Sequence, residues 1–157
     1  LWIAQESGHS LLRGLGPDPL DQEITVQEME LAAKKCKKAS IKNFLMDAKR
    51  IAGIGNIYAC EALFAAKIYP KKPARKINSI QWALILSVLR KILKDSVKAG
   101  GTTLRDFHST DGSRGYYKFS LAVYGKENKP CMVCAEPIRR IVQSARSTFY
   151  CKVCQKY

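Results

Sequence analysis

The sequence predicts a mostly α-helical body followed by a small β unit built around a metal ion. Apolar residues recur at helical spacing as far as about residue 100, and β-forming residues are concentrated beyond it. Sixteen residues separate two Cys-x-x-Cys pairs, Cys131/Cys134 and Cys151/Cys154. This spacing is typical of a four-thiolate zinc ribbon with one structural ion, and two disulfides are the alternative.

Two helices are predicted in the first third of the chain. Thr25 and Glu28 have the spacing of a capping box, so a first helix should run from about 26 to 37. Ser40 is placed to cap a short second helix over about 41 to 47.

Two further helices complete the predicted body. Asn56 is a favourable N-cap for a third, amphipathic helix that should reach about residue 67. Ser79 is expected to cap the longest helix, over about 80 to 99. One face of that helix should be buried, because its large apolar residues recur every three or four positions: Trp82, Ile85, Leu86, Leu89, Ile92 and Leu93.

The remainder is predicted to be a loop and a β unit. Residues 102–115 are polar and glycine-rich and should form a loop, whereas 116–124 are dense in β-formers. Strands are expected around 138–143 and 147–151, between the two cysteine pairs. This unit is too short to build a core, so the metal should supply most of its folding free energy.

The chain is strongly basic, which indicates a polyanionic partner. It carries 27 Lys and Arg against 13 Asp and Glu, a formal charge of +14. Four thiolates holding one Zn²⁺ would lower that charge to about +12. Nucleic acid is the expected partner, and a merely soluble basic protein is the alternative. The sequence has no apolar run of the roughly 20 residues that span a bilayer, so we expect no membrane association.

Three constellations could contact phosphate. The turn Gly53-Ile54-Gly55-Asn56 leads into a helix N-terminus, where backbone N–H groups favour anions; an ordinary turn is the alternative. Arg146 lies between the cysteine pairs among small polar residues, which predicts an exposed hairpin tip or simply a solvated arginine. A lysine cluster could follow a phosphate backbone or remain a solvated helix end: Lys34, Lys35, Lys37, Lys38 and Lys42.

Several stretches occur here in an ordered combination. They are IKNFLMDAK at 41–49, AGIGNIYA at 52–59, GGTTLRDF at 100–107, and the cysteine pairs with Arg146 between them. In this combination nearly the whole chain resembles the bacterial formamidopyrimidine-DNA glycosylase family. The resemblance implies a helix–two-turn–helix domain over 25–101 and a four-cysteine zinc finger over 121–157. It further implies a remnant of an N-terminal domain and linker over 1–24, and a mobile lesion-capping loop and connector over 102–120.

The resemblance also implies an activity. The family excises oxidised purines, such as 8-oxoguanine and formamidopyrimidines, and cleaves the abasic strand by β,δ-elimination. The implied cofactor is one structural zinc ion, and the implied partner is double-stranded DNA with an oxidised purine or an abasic site. A monomer in the bacterial cytoplasm, associated with the nucleoid, is expected. The rivals are the sister endonuclease VIII branch, which acts on oxidised pyrimidines, and a stand-alone zinc-ribbon module that binds DNA.

Individual roles follow from the same resemblance. Asn56, with the backbone amides of Gly53 and Gly55, would grip phosphates beside the lesion. Lys42 would lie near the phosphates of the flipped nucleotide, and Lys38 would contact the DNA backbone. The family's zinc-finger arginine contacts phosphate and has a catalytic role in δ-elimination, and its match here is Arg146. The family usually has glycines around that arginine, where this chain has Ser144, Ala145 and Ser147.

The family's nucleophile has no match in the printed sequence. It is the amine of an N-terminal proline, followed by a catalytic glutamate, and a catalytic lysine lies in the same N-terminal domain. The sequence starts at Leu1 without an initiator methionine. We therefore expect a fragment that binds DNA but is catalytically inactive by itself.

Overall fold

The computed structural model describes residues 14–20, 24–98 and 121–157, and in them helices precede one β-hairpin. Residues 102–115, predicted to be a loop, and most of 116–124 lie outside this part. The predicted mostly α fold with a small β unit is confirmed. The elements in order are α1 (Val26–Lys35), α2 (Ile41–Leu45), α3 (Asn56–Ala65), a 3₁₀ turn (Ala74–Lys76), α4 (Ser79–Lys98), β1 (Arg139–Gln143) and β2 (Arg146–Tyr150).

Local side-chain caps start the first two helices where the sequence predicts. Thr25 Oγ1 accepts a hydrogen bond from the Glu28 amide at 3.2 Å, and Glu28 Oε2 accepts one from the Thr25 amide at 2.9 Å. The predicted capping box is therefore present. Ser40 Oγ caps α2 by accepting from the Asn43 amide at 3.3 Å. Both helices end about two residues earlier than predicted.

Helix α3 differs from its prediction in two ways. Its N-cap is Gly55, and Asn56 is the first helical residue, whose side chain caps nothing. Nor is α3 amphipathic, because every residue from Ala59 to Phe64 is buried. The prediction was wrong because it allowed for one packing surface, whereas α3 lies between two hydrophobic cores.

Helix α4 has the predicted length but a different cap. Asn78 Oδ1 accepts from the Gln81 amide at 2.9 Å and so caps the helix one position before the expected Ser79. The Ser79 hydroxyl instead donates to Glu30 Oε2 at 2.7 Å and ties α4 to α1. Within the described residues, no helix combines the length and the apolar character needed to cross a membrane.

The larger core lies among the four helices. The rings of Phe44 and Trp82 meet edge to face with centroids 5.4 Å apart, which fixes α2 against α4. Leu63 of α3 is fully buried in the same cluster. The buried face predicted for α4 is confirmed, since Trp82, Ile85, Leu86 and Leu89 are all buried.

A second, smaller core joins α3 to the hairpin. Cys60 and Phe64, on the opposite side of α3, pack against Phe149 of β2. The cluster also contains Cys131 and Cys151 of the two cysteine pairs, together with Val123 and Ile138. Shared apolar burial therefore holds the β unit against the helical body.

Candidate nucleic-acid interface and metal centre

The four paired cysteines form a metal centre. Their sulfur atoms all lie within 4.8 Å of one another, with 3.8 Å between Cys131 and Cys154 and 3.4 Å between Cys134 and Cys151. A tetrahedral zinc with Zn–S bonds of about 2.3 Å separates its sulfurs by about 3.8 Å. A disulfide needs about 2.05 Å, and all four thiols are free. The cluster therefore fits one structural zinc ion.

The backbone of each knuckle turns its two cysteines towards the same point. The Ala135 amide donates to the Cys131 carbonyl at 2.9 Å, and the Gln155 amide donates to the Cys151 carbonyl at 3.0 Å. Gln155 also caps its own knuckle, because its Oε1 accepts from the Cys151 amide at 2.9 Å. Its Nε2 donates to the Ile68 carbonyl at 2.9 Å, which links this knuckle to the helical body.

A cleft opens at the N-terminus of α3, where the sequence predicts an anion site. Gly53 has φ of +77°, a left-handed conformation that favours glycine, and Gly55 is extended. Gly55, the N-cap of α3, has no side chain with which to cap the helix. The cleft measures about 450 Å³ and is lined by Gly55, Asn56, Ile57, Tyr58, Tyr124, Arg146 and Ser147.

The side chain of Asn56 crosses this cleft to the hairpin. Its Nδ2 donates to the Ser147 carbonyl at 2.9 Å and approaches the Tyr124 hydroxyl at 3.4 Å. Its Oδ1 is buried and has no hydrogen-bond partner among the described residues. Asn56 therefore connects the two modules at the cleft.

Lys42 is fully buried behind the same hairpin. Its ammonium donates to Thr148 Oγ1 at 2.6 Å and to the Ser147 carbonyl at 3.5 Å. Burial lowers the pKa of Lys42; the nearby Cys60 opposes this shift, and the Arg146 guanidinium adds to it. In this position Lys42 braces α2 against β2, and its expected contact with the phosphates of a flipped nucleotide stays a prediction.

The remaining predicted DNA contacts fall at different places. Arg146 is exposed and begins β2 directly after a two-residue turn, close to the predicted hairpin tip. Lys38 is also exposed, in the segment between α1 and α2. The structure brings Gly55, Asn56 and Arg146 together on one cleft, whereas Gly53 and Lys38 do not line it.

The carboxylate of Glu61, which sequence reasoning missed, joins α3 to the start of the zinc unit. It accepts three backbone hydrogen bonds, from Ala122 at 2.7 Å, Val123 at 2.9 Å and Tyr124 at 2.8 Å. Glu61 is only 6% exposed. A lone acidic residue inside the apolar run Ala59–Phe64 was the available signal, since a buried carboxylate requires donors.

Sequence reasoning also missed two side-chain amides, those of Asn43 and Gln143, that connect the helical body to the hairpin. Asn43 Nδ2 donates to Ser144 Oγ at 2.8 Å, from α2 to the hairpin turn. Gln143 Nε2 donates to Ser40 Oγ at 3.1 Å and lies 3.5 Å from the Pro70 carbonyl. These partners are 73 to 103 positions apart, and no local pattern marks such pairs.

Two protein-family models match the chain. One, described as the formamidopyrimidine-DNA glycosylase H2TH domain, matches residues 15–108. The other, described as a zinc finger found in FPG and IleRS, matches residues 128–156. The second match contains all four cysteines of the metal centre, so the predicted zinc finger with a single zinc ion is confirmed.

Known proteins with similar sequences and structures agree with these matches. The chain is 43% identical over 156 residues to the formamidopyrimidine-DNA glycosylase of Salmonella newport, covering 99% of the chain and 58% of that relative. Its fold is similar to MutM (Fpg) from Thermus thermophilus, with TM-score 0.86, 37% identity and coverage of 92% and 55%. It is also similar to Lactococcus lactis Fpg in complex with abasic-site DNA, with TM-score 0.85, 32% identity and coverage of 94% and 54%. The chain thus spans about half the length of the relatives it matches.

Proposed function

The chain belongs to the formamidopyrimidine-DNA glycosylase H2TH-domain family, and on that premise we propose that it is the DNA-gripping half of a DNA glycosylase and AP lyase acting on oxidised purines. The relatives are named for formamidopyrimidine, an oxidised-purine lesion, which favours this branch over the endonuclease VIII branch. They are also about twice as long as this chain, which favours a parent enzyme over a stand-alone zinc-ribbon module.

The observation that carries the proposal is that the zinc hairpin and the helical body meet at one cleft. Asn56, at the start of α3, and Arg146, at the start of β2, both line it. An uncapped helix N-terminus presents N–H donors and a partial positive charge, and the guanidinium supplies a full one. A phosphate of the DNA backbone is an anion that can accept hydrogen bonds from the N–H groups and pair with the guanidinium. We assign this cleft to the phosphates that flank the lesion.

The two side chains serve the phosphate in different ways. The Asn56 amide donates to the Ser147 carbonyl at 2.9 Å, which orients the group, and a phosphate oxygen in the cleft would replace its longer bond of 3.4 Å to the Tyr124 hydroxyl. Arg146 is exposed and can release bound counterions when it contacts phosphate. The resemblance further assigns Arg146 a role in δ-elimination, where a cation beside the departing phosphate stabilises its charge.

Fluorescence anisotropy with a duplex containing a tetrahydrofuran abasic site tests this assignment. We expect Arg146→Ala to weaken binding and to reduce the slope of log affinity against log salt by about 1. Asn56→Ala should weaken binding without changing that slope, because the amide is neutral. Arg140→Ala removes an exposed positive charge from the same hairpin and is the matched control. If Arg146→Ala binds no worse than Arg140→Ala, the cleft is not the phosphate site.

A second experiment separates binding from chemistry. We propose that residues 1–157 bind DNA without cleaving it, because the resemblance assigns the reacting amine to a part of the relatives that this chain does not span. Borohydride should trap no covalent adduct between residues 1–157 and an 8-oxoguanine duplex, whereas a relative of full length should be trapped. A covalent adduct of residues 1–157 at comparable yield would contradict the proposal.

A further inference from the structure

We propose that Asn43 is a positioning residue for Arg146, an inference that rests on the phosphate-binding function proposed for Arg146. Asn43 lies on α2, in the helical body, and its amide reaches the turn of the zinc hairpin. There it holds the backbone in a conformation that the residues of the turn do not favour. The direction of Arg146 is therefore set by the helical body as well as by the zinc ion.

The backbone of the turn shows why it needs support. Gln143 pairs with Arg146 across the hairpin, so the turn consists of Ser144 and Ala145 alone. Their φ angles are +47° and +59°, both in the left-handed region. Two positive φ angles define a type I′ turn, for which Asn-Gly is the preferred sequence. Serine and alanine carry a Cβ that disfavours this region, so the turn is not stabilised by its own sequence.

The contact from α2 falls on the first of these two residues. Asn43 Nδ2 donates to Ser144 Oγ at 2.8 Å, across 101 positions of sequence. The residue that carries this donor is fixed in place. The backbone N–H of Asn43 donates to Ser40 Oγ at 3.3 Å, and the neighbouring Phe44 is buried. The hydrogen bond therefore connects a fixed helix to a turn that would otherwise relax.

Arg146 is the residue that such a relaxation would move. It follows the turn directly and begins β2, and it lines a second cleft of about 220 Å³ together with Asn43, Met46, Gln143 and Ser144. Hydrogen bonds from Gln143 to Ser40 and from Asn56 to the Ser147 carbonyl hold the strands on either side of the turn. Neither of those bonds involves the two residues with positive φ.

A double-mutant cycle tests the inference in the zinc-loaded protein. The variants are Asn43→Ala, the turn replacement Ser144→Asn with Ala145→Gly, and the combination of all three substitutions. Heteronuclear ¹⁵N NOEs of residues 144–146 without DNA report the order of the turn. Fluorescence anisotropy with the tetrahydrofuran duplex measures the affinity for DNA, and Arg146→Ala is measured in parallel. Zinc content and melting temperature show whether each variant is folded.

We expect Asn43→Ala to lower the NOEs of residues 144–146 and to weaken DNA binding about two- to fivefold, the usual contribution of one partly exposed hydrogen bond. In the Asn-Gly background, which favours the type I′ turn by itself, the same substitution should change neither the NOEs nor the affinity. This rescue distinguishes positioning from a general loss of stability. Should Asn43→Ala fail to fold, Ser144→Ala removes the same bond from the other side and carries the same expectation.

Two results would overturn the inference: unchanged NOEs after the bond is removed, or an undiminished loss of affinity in the Asn-Gly background. The same measurements distinguish a failure of this inference from a failure of the proposed function. If Arg146→Ala leaves DNA binding intact, the role of Arg146 fails, and the inference that depends on it fails too. If Arg146→Ala weakens binding but Asn43→Ala affects neither readout, only the role of Asn43 is lost.

Discussion

The Lys42 ammonium donates a 2.6 Å hydrogen bond to Thr148 Oγ1 and so joins α2 to the zinc hairpin across 106 positions of sequence. The side chain is fully buried, and the structure shows no carboxylate within ion-pair distance of it among the described residues. A buried ammonium without a counter-charge lowers stability, although its hydrogen bonds offset part of the cost. Lys42 therefore connects α2 to the hairpin, but its buried charge lowers the stability of the fold by an amount that depends on pH.

Lys42→Met should reveal that penalty. Burial lowers the folded-state pKa below the ordinary value of about 10.4. Between those two values the unfolded chain binds more protons, so the free energy of unfolding of the unsubstituted protein should rise with pH. Relative to Lys42→Met, it should gain up to about 1.4 kcal/mol for each unit of pKa shift. Below the folded-state pKa the buried charge destabilises the unsubstituted protein fully, and the difference in free energy of unfolding between the two proteins should be constant.

Urea denaturation of both proteins between pH 7 and 10 measures this difference. The thiol of Cys60, whose pKa is raised by burial, is present in both proteins, so most of its effect cancels. The exposed Lys49→Met is the matched control and should show no such gain. A difference that stays flat over the whole range would contradict the prediction.

Glu61→Gln should destabilise the junction between α3 and the zinc unit. The glutamine has one acceptor oxygen and an NH₂ group, so at least one of the three backbone N–H groups would face a donor. Because hydrogen bonds to a charged group contribute about 1.5–3 kcal/mol, we expect a loss of about 2 kcal/mol in denaturant unfolding. Glu127→Gln breaks an exposed ion pair with Arg140 and should cost less than about 1 kcal/mol. Equal effects of the two substitutions would refute the role given to Glu61.

Removal of zinc should unfold the hairpin and leave much of the helical body intact. The larger core contains no cysteine of the metal centre, whereas the smaller core contains Cys131 and Cys151. We expect chelation, or Cys134→Ser, to remove the single zinc ion, to retain most of the helical circular dichroism, and to weaken DNA binding markedly. Metal analysis and anisotropy measure these effects. Cys36→Ser should keep its zinc, and a stoichiometric ion in Cys134→Ser would count against the site.

Two apolar residues of α4 should differ sharply in their contribution to stability. Leu89 is fully buried, whereas Ile80 is 80% exposed on the same helix. Leu89→Ala leaves a cavity in the larger core, and we expect it to lower the free energy of unfolding by about 2–5 kcal/mol. Ile80→Ala should change it by less than about 0.5 kcal/mol. Thermal or urea unfolding monitors both, and similar losses would mean that the assigned buried face is incorrect.

Features that depend on neighbouring residues could be predicted from the sequence. The capping box of Thr25 and Glu28 involves residues three apart, and the cysteine spacing encodes the metal centre directly. The exposed position of Arg146 followed from its small polar neighbours. In each case the partners lie close in the chain, so the physical reason for the contact is visible in the local pattern.

Features that depend on the second core could not be predicted in this way. Asn56 has the residue type of an N-cap, but its Oδ1, the atom that would cap, has no partner among the described residues, while its Nδ2 donates to the Ser147 carbonyl, a partner that nothing near Asn56 in the sequence indicates. Helix α3 looked one-sided because the sequence does not show that Phe149 covers its other face. The lone Glu61 in an apolar run does signal a buried carboxylate, but the backbone amides that bind it carry no signature in the sequence.

The side-chain hydrogen bonds from Lys42 and Asn43 to the hairpin also bear on how this architecture can be engineered. A zinc finger is usually treated as a cassette that can be moved between hosts. Here a graft that began at residue 121 would bring Thr148 and Ser144 without the lysine and the asparagine that hold them. Exchange between relatives should therefore succeed when residues 40–43 and 143–148 are transferred together, as one unit divided between two distant parts of the chain.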